Sequence, residues 1–249
     1  MRRRPRILVT NDDGIHGPGL RPLIAAMRQL GEVVAVVPDQ ERSADSHSLT
    51  LHKPIRVHRM AEGIVTVTGS PADCARFGVL REMRGKVDLV VSGINRGYNL
   101  GEDIIYSGTV AAAREARILG LPALAFSQDY DERSYEAAAA CARDLAREVL
   151  RRGLPRGVIL NVNFPRPRRG GFRNAVAARL GRRIYSNAIN RRSDPRGRTY
   201  YWLGGSKARW VKLPGTDVAA VAAGRVSVTP LHLDQTDRPM LGALKGWSL

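Results

Sequence analysis

The sequence has few cysteines, few aromatic side chains and no long apolar run, and each shortage excludes a class of protein. Two cysteines among 249 residues, Cys74 and Cys141, are too few for a disulfide framework or a zinc cluster, so we expect reduced, buried thiols. No stretch of ~18 apolar residues occurs, which excludes a membrane-spanning helix. The basic N-terminus reaches Asp12 before the ~7–15-residue apolar core of a signal peptide can form. We therefore expect a cytoplasmic protein with no membrane partner.

Three common catalytic motifs are also missing. The five histidines lack the clustered spacing of a zinc hydrolase, and no Gly-x-Ser-x-Gly sequence of an acyl hydrolase occurs. The glycine-rich stretch 14–19 is not closed by Lys-Ser or Lys-Thr, so it is not a P-loop, and its spacing is not that of a dinucleotide-binding loop. The chemistry must be sought in other residues.

Acidic residues are scarce between Arg151 and Arg198, where fourteen arginines accompany the single acid Asp194 in a chain of formal net charge +17. Such a segment can bind nucleic-acid phosphates or steer an anionic substrate, and it can equally be a solvated surface or an oligomer contact. Its few aromatic residues form no evident platform for stacking bases. A protein that binds nucleic acid or another partner through residues 151–198 is therefore the alternative to an enzyme. Nucleic acid is the less favoured of these partners.

The first two thirds of the chain alternate short apolar runs with helical patterns. Strands are predicted at 7–9, 33–37, 87–91, 123–126 and 158–162, and helices at 20–30, 72–83, 110–119 and 134–151. Nearly continuous β-branched runs separated by helices predict a doubly wound, mostly parallel α/β sheet.

After Phe164 the pattern changes to proline, glycine and arginine. We predict a hairpin of 199–203 with 209–213, a short helix at 217–223 and a strand at 225–229, and the tail from 231 shows few cues. The chain is accordingly divided into an α/β core, 1–164, and a C-terminal extension, 165–249. The extension is expected to complete the fold and to supply a hairpin and tail for oligomer contacts.

Ligands of open α/β sheets bind at the carboxyl ends of the strands, so the loops there are the candidates for a site. Asp12 and Asp13 follow the first strand and precede three glycines, which suggests a Mg²⁺ or Mn²⁺ site; a solvated turn is the alternative. Ser43 follows the second strand and by itself is more typical of a turn than of a ligand. Ser107-Gly108-Thr109 opens a helix, where free N–H groups and hydroxyls can bind phosphate or simply cap the helix.

These motifs together resemble the SurE family of survival-protein nucleotidases, in order and over nearly the whole chain. The segments that carry the resemblance are Asn11-Asp12-Asp13-Gly14, Pro38-Asp39, Arg42-Ser43, Ser48-Leu49-Thr50-Leu51, Gly69-Ser70-Pro71-Ala72-Asp73-Cys74, Ser92-Gly93-Ile94-Asn95, Tyr106-Ser107-Gly108-Thr109-Val110-Ala111-Ala112-Ala113, Gly215-Thr216-Asp217 and Val226-Ser227-Val228-Thr229-Pro230-Leu231.

The resemblance implies a phosphatase that acts on nucleoside 5′-monophosphates, and also on 3′-nucleotides and short polyphosphate. It implies one divalent ion per subunit, Mg²⁺ or Mn²⁺, with metal ligands at Asp12, Asp13, Ser43 and Asn95. It further implies a homodimer or homotetramer formed through the C-terminal extension. The stretch 44–47 departs from the family's usual Gly-Ala-type loop, which leaves the shape of this loop open.

On this basis Asp12 and Asp13 are the predicted catalytic residues. Asp12 is expected to accept a proton from the attacking water, and direct attack on phosphorus to give an aspartyl phosphate is the alternative. Ser107, Gly108 and Thr109 are expected to bind the phosphate, with Asn99 as a further donor. A receiver-like domain also carries an acidic pair after its first strand, but glycine and asparagine stand after 87–91 where its phosphoacceptor aspartate is expected.

Overall fold

The structure is a computed structural model that describes residues 3–60, 63–130, 132, 134–167, 171–184, 189–203 and 209–247. The strands in these residues are β1 (Arg6–Thr10), β2 (Glu32–Pro38), β3 (Val57–Arg59), β4 (Ile64–Val67), β5 (Leu89–Arg96), β6 (Ala123–Gln128), β7 (Val158–Phe164), β8 (Arg173–Ala177), β9 (Arg182–Ile184), β10 (Ile189–Ser193), β11 (Thr199–Leu203), β12 (Arg209–Val211) and β13 (Arg225–His232). The α-helices are α1 (Leu20–Arg28), α2 (Pro71–Phe77), α3 (Gly108–Ile118), α4 (Glu136–Arg152), α5 (Asp217–Ala222) and α6 (Arg238–Leu244).

One large sheet has the strand order β3-β4-β2-β1-β5-β6-β7-β13-β8. The strands from β4 to β7 in this order pair in parallel, whereas β3 and β13 run antiparallel to β4 and β7. From β1 the chain moves to β2 and β4 and then returns to the other side of β1 to begin β5. The switch point of a doubly wound sheet therefore lies between β1 and β5. The predicted fold class is confirmed.

The central strands are apolar because helices cover both faces of the sheet. In β1, Ile7 and Val9 belong to the apolar cluster on the side of α1 and α4, while Leu8 belongs to the cluster on the side of α2 and α3. All three side chains are fully buried. This is the alternation that a strand imposes, with each face burying every second side chain.

Several predicted elements differ from the observed ones in length. The predicted strand 87–91 continues to Arg96, with a shift of register against β6 between Ser92 and Asn95, so Asn95 lies in the strand and not in the following loop. The predicted helix 72–83 is α2 followed by a π-helical turn, Gly78–Glu82. Helix α6 was not predicted, although Asp237 caps it and Pro239 stands in its first turn.

The predicted hairpin of 199–203 with 209–213 is wrong. Strand β11 pairs with β10, and β12 pairs with β9. The reason is local turn chemistry, because Asp194 accepts hydrogen bonds from the N–H groups of Arg196 and Arg198 and so joins β10 to β11. The glycine-rich turn 204–206, on which the hairpin prediction rested, lies outside the described residues.

The second half of the chain contributes to the central sheet through β8 and β13. The division into 1–164 and 165–249 stays a prediction. Both cysteines are free thiols; Cys74 is buried, whereas Cys141 is partly exposed. Within the described ranges, no helix is both long and apolar enough to span a membrane.

Candidate active site

A cleft of about 310 Å³ opens beside the switch point of the sheet. Five predicted site residues line it: Asp12, Ser43, Asn95, Asn99 and Ser107. A larger groove of about 920 Å³ lies elsewhere, between Ile104 and Leu231, and none of the predicted site residues lines it. The smaller cleft is therefore the candidate active site.

Asp12 is the most buried acidic group in the cleft wall, with 5% of its surface exposed. The Thr109 hydroxyl donates a short hydrogen bond to its Oδ1 atom. Burial, together with the neighbouring Asp13 carboxylate, raises the pKa of Asp12 to about 7 despite that hydrogen bond. Near neutral pH this carboxyl group can therefore both hold and release a proton.

Asp13 lies beside β5. Its Oδ2 atom accepts a hydrogen bond from the N–H group of Arg96 at 3.2 Å, next to Asn95. Burial is the main cause that raises the pKa of Asp13 to about 6; the Arg96 N–H bond works against it, and Glu41 adds to it. For both Asp12 and Asp13, the hydrogen bonds and positive charge nearby do not offset the cost of burying the ionised carboxylate.

The loop that carries Ser43 is attached to the rest of the site at both ends. The N–H group of Arg42 donates to the Asp12 carbonyl at 2.8 Å, and the N–H group of Ser46 donates to the Tyr106 carbonyl at 3.1 Å. Further along, His47 Nε2 lies 2.9 Å from Oε2 of the buried Glu115 on α3. Ser43 itself is exposed to the cleft, and its hydroxyl donates to Glu41 at 2.6 Å.

Asn95 ends up in the cleft because β5 extends beyond the predicted strand. Its Nδ2 atom donates to the Gly97 carbonyl at 2.9 Å. With the amide nitrogen held in this way, Oδ1 is the atom that Asn95 can offer to a cation.

The start of α3 faces the cleft through Ser107. The Ser107 hydroxyl oxygen accepts from the N–H group of Val110 at 3.1 Å, so it caps the helix and keeps its own O–H group as a donor. Gly108 packs against Asp12, since a Cβ atom there would lie 2.9 Å from Asp12 Cβ. Thr109 is fully buried and its hydroxyl serves Asp12. Of these three residues, only Ser107 lines the cleft.

Asn99 is supported by a buried polar network that sequence reasoning missed. Its N–H group donates to Asn163 Oδ1 at 2.9 Å, and its Nδ2 atom donates to Ser127 Oγ at 2.7 Å. Its carbonyl oxygen accepts from the side chains of Asn161 and Asn163. The available signal was the pair of asparagines two residues apart in an apolar strand, which places both on one face of β7.

The cleft also contains residues from outside the predicted set, among them Tyr98, Asp103, Tyr106 and Arg183. Arg183 is notable because it belongs to β9, in the part of the chain that was expected only to complete the fold and form oligomer contacts. No local sequence signal marks it, since it is one arginine among many.

The donor set fits a hard divalent cation. Two carboxylates, a hydroxyl and an amide oxygen are ligands that Mg²⁺ or Mn²⁺ accepts, and the raised pKa values of Asp12 and Asp13 show buried carboxyl groups that a cation would stabilise as anions. Among the described residues, no three His, Cys, Asp or Glu side chains form a metal-binding group. This agrees with a set in which only two ligands are carboxylates.

Comparison with known proteins gives a consistent result. The model of the family described as survival protein SurE matches residues 7–187. A protein of Geobacter sulfurreducens named 5′-nucleotidase SurE is 50% identical over 245 residues, which cover 98% of this chain and 94% of that protein. A protein of the same name from Geotalea uraniireducens is 48% identical over 246 residues, covering 98% and 99%.

The fold agrees as well. The crystal structure of the SurE protein from Aquifex aeolicus matches with a TM-score of 0.85 and 40% sequence identity, covering 97% of this chain and 98% of that one. The resemblance stated from the motifs is thereby confirmed. The family model spans most of the chain, and the relatives are similar to the chain along nearly its whole length. This chain therefore belongs to the SurE family.

Proposed function

We propose that the chain is a divalent-metal-dependent phosphatase that hydrolyses nucleoside 5′-monophosphates to nucleoside and phosphate, and that it also accepts the 3′ isomers. The observation that carries the proposal is the meeting of Asp12, Ser43, Asn95 and Ser107 in one cleft at the switch point of the sheet. The relatives named 5′-nucleotidase support the substrate class.

The residues that would hold one Mg²⁺ or Mn²⁺ ion are Asp12, Asp13, Ser43 and Asn95. Such an ion neutralises charge on the phosphoryl oxygens and activates an attacking water. The Ser43 hydroxyl donates its hydrogen to Glu41, so its oxygen keeps lone pairs that a cation can bind.

Asp12 is the proposed general base. Asp12 lines the cleft and would be a carboxylate once a cation is bound, so it is placed to accept the proton of an attacking water. Thr109 fixes the orientation of this carboxyl group through its hydroxyl. The proton taken from water would thus be held at a side chain that cannot rotate freely.

The phosphate is expected to bind between Asp12 and the start of α3. There the Ser107 hydroxyl lines the cleft at the N-terminus of an eleven-residue helix, the end whose dipole favours a bound anion. Asn99 supplies a further amide donor from the loop after β5, where its main chain is fixed by Asn161 and Asn163.

The described contacts of the 151–198 segment do not favour the nucleic-acid alternative over this proposal. Several arginines of 151–198 have their charge offset by acidic neighbours, such as Arg151 and Arg152 with Glu148, and Arg166 with Asp129. They also come from different elements of the fold. Over its described residues, 151–167, 171–184 and 189–198, the segment is therefore not a single basic stripe along one helix or strand.

The substitution Asp12→Asn tests the proposal. We expect it to abolish phosphate release from nucleoside monophosphates and to weaken Mn²⁺ binding in a calorimetric titration, because it removes both a ligand and the base. The fold should persist, since the amide keeps the size of the side chain. Asp144→Asn, at an exposed position on α4, is the matched control and should retain full activity.

Activity above about a tenth of the wild-type value in Asp12→Asn would contradict the assignment, because loss of a metal ligand and base should cost several kcal/mol of barrier. Unchanged Mn²⁺ affinity in the same variant would remove Asp12 from the ligand set even if activity fell.

A further inference from the structure

Arg183 enters the candidate active site from an element that carries none of the predicted catalytic or metal-binding residues. It belongs to β9, and its side chain lines the same cleft as Asp12 and Ser107. The metal-ligand and phosphate positions all come from loops and strand ends of the doubly wound sheet. Arg183 therefore brings a second part of the chain to the candidate active site.

Three contacts fix the orientation of Arg183. Its backbone N–H group donates to Glu102 Oε2 at 2.7 Å, and its guanidinium group forms an ion pair with Asp103. The guanidinium carbon also lies 4.9 Å from the centre of the Trp210 ring, which β12 places opposite Arg183 in the two-stranded ribbon. The carboxylate and the indole ring thus hold the planar guanidinium group in one orientation before any ligand binds.

The charge around Arg183 argues against the phosphate as its partner. Asp103 also lines the cleft, so a phosphate dianion that approached Arg183 would meet this carboxylate as well. The ion pair already offsets the charge of the guanidinium group. A neutral, flat group is not repelled by the Asp103 carboxylate and can stack on the plane of the guanidinium group.

The other side chains nearby also suit a nucleobase. Tyr98 and Tyr106 line the cleft, and aromatic rings offer flat faces to a base. A cleft volume of about 310 Å³ lies at the small end of the range for ligand pockets, about 300–1,000 Å³.

We propose that Arg183 is a specificity-determining residue that binds the base of the nucleotide, supported from behind by Trp210. The inference rests on the proposed function and deepens it, because it makes the C-terminal ribbon of β9 and β12 a part of the substrate site. Arg183 and Trp210 act on the affinity for the nucleoside, whereas the chemistry at phosphorus belongs to Asp12 and the other residues of the proposed metal and phosphate sites.

The test compares a substrate with a base and a ligand without one. For the wild type and for Arg183→Gln, we would measure KM and kcat for adenosine 5′-monophosphate, and the inhibition constant of ribose 5-phosphate against that reaction. We expect KM for the nucleotide to rise about ten-fold, within the range for loss of one stacking contact, while the inhibition constant of ribose 5-phosphate stays within about two-fold. Trp210→Leu should shift KM in the same direction by a smaller factor.

Arg182→Gln is the matched control. Arg182 precedes Arg183 in the same strand, is exposed and does not line the cleft, so the same loss of charge there should leave both constants unchanged. This variant separates a local contact from a change in the net charge of the protein.

Equal weakening of the nucleotide and of ribose 5-phosphate in Arg183→Gln would overturn the inference, because it would assign Arg183 to the phosphate or sugar. Unchanged KM for the nucleotide would overturn it too. Either result leaves the proposed function intact, whereas absence of phosphate release by the wild-type protein from every nucleotide would overturn the proposed function and this inference together.

Discussion

At the scale of single residues, the site depends on two adjacent carboxyl groups that the fold buries without an adequate counter-charge. Asp12 and Asp13 were identified from the sequence because an acidic pair at the end of an apolar strand is a local pattern. Ser43 and Asn95 were assigned only through the family resemblance, because neither residue type marks a ligand on its own. Arg183 and the asparagines of β7 were missed, since their roles depend on contacts between distant segments.

The pKa values predict how the stability of the metal-free protein changes with pH. The carboxyl groups of Asp12 and Asp13 have an ordinary pKa of 3.8, and in the folded protein their pKa values are about 7 and 6. Because the folded state holds these protons more tightly, their contribution to stability is complete below about pH 4 and is lost as the pH rises through 6 and 7. We therefore expect the free energy of unfolding of the metal-free protein to fall as Asp12 and Asp13 ionise.

Thermal unfolding at pH 5 and pH 8, with chelator or with Mn²⁺, measures this effect. Mn²⁺ should raise Tm more at pH 8 than at pH 5, because metal binding needs both carboxyl groups deprotonated. In the chelated protein, Asp12→Asn should reduce the destabilisation between the two pH values. A Tm shift by Mn²⁺ that is equal at both pH values, or larger at pH 5, would be inconsistent with these carboxylates as ligands.

At the scale of elements, the parallel strands were predictable because burial on both faces gives nearly continuous apolar runs. The pairing of the C-terminal strands was not, because β9 to β12 are short, mostly exposed and rich in arginine, so their pattern carries little information on partners. Strand β7 shows a further limit of prediction from the sequence. Its asparagines interrupt an apolar pattern, and only the fold reveals that they hold the main chain of Asn99.

The substitution Asn163→Asp tests this supporting role of β7. It keeps the acceptor for the Asn99 N–H group and replaces the donor to the Asn99 carbonyl with a second oxygen. We expect a loss of at least about 1–3 kcal/mol in the free energy of unfolding by urea, because the change breaks a buried hydrogen bond and places a carboxyl group at a fully buried position. We also expect a fall in kcat/KM of about ten-fold or more, because Asn99 shifts.

The matched control for that change is Asn174→Asp on β8, where the side chain is exposed. It introduces the same charge in the same sheet and should leave stability and activity unchanged. If Asn163→Asp behaves like this control, then the network does not position Asn99.

At the scale of the whole molecule, the chain joins a doubly wound sheet to a C-terminal part with two roles. Strands β8 and β13 extend the sheet, while β9 brings Arg183 to the cleft. The ribbon of β10 and β11 exposes Ile189, Tyr201, Trp202 and Leu203. Exposed apolar side chains of this kind support the expected homodimer or homotetramer, which stays a prediction, as does the cytoplasmic location.

The proposed function is tested by phosphate release from a panel of 5′- and 3′-nucleoside monophosphates with Mg²⁺ or Mn²⁺, repeated with chelator. We expect release from the 5′-nucleotides that stops with chelator and returns when the metal is restored in excess. Release that persists undiminished with chelator would contradict the metal site at Asp12 and Asp13. No release from any nucleotide under either metal would contradict the proposed function itself.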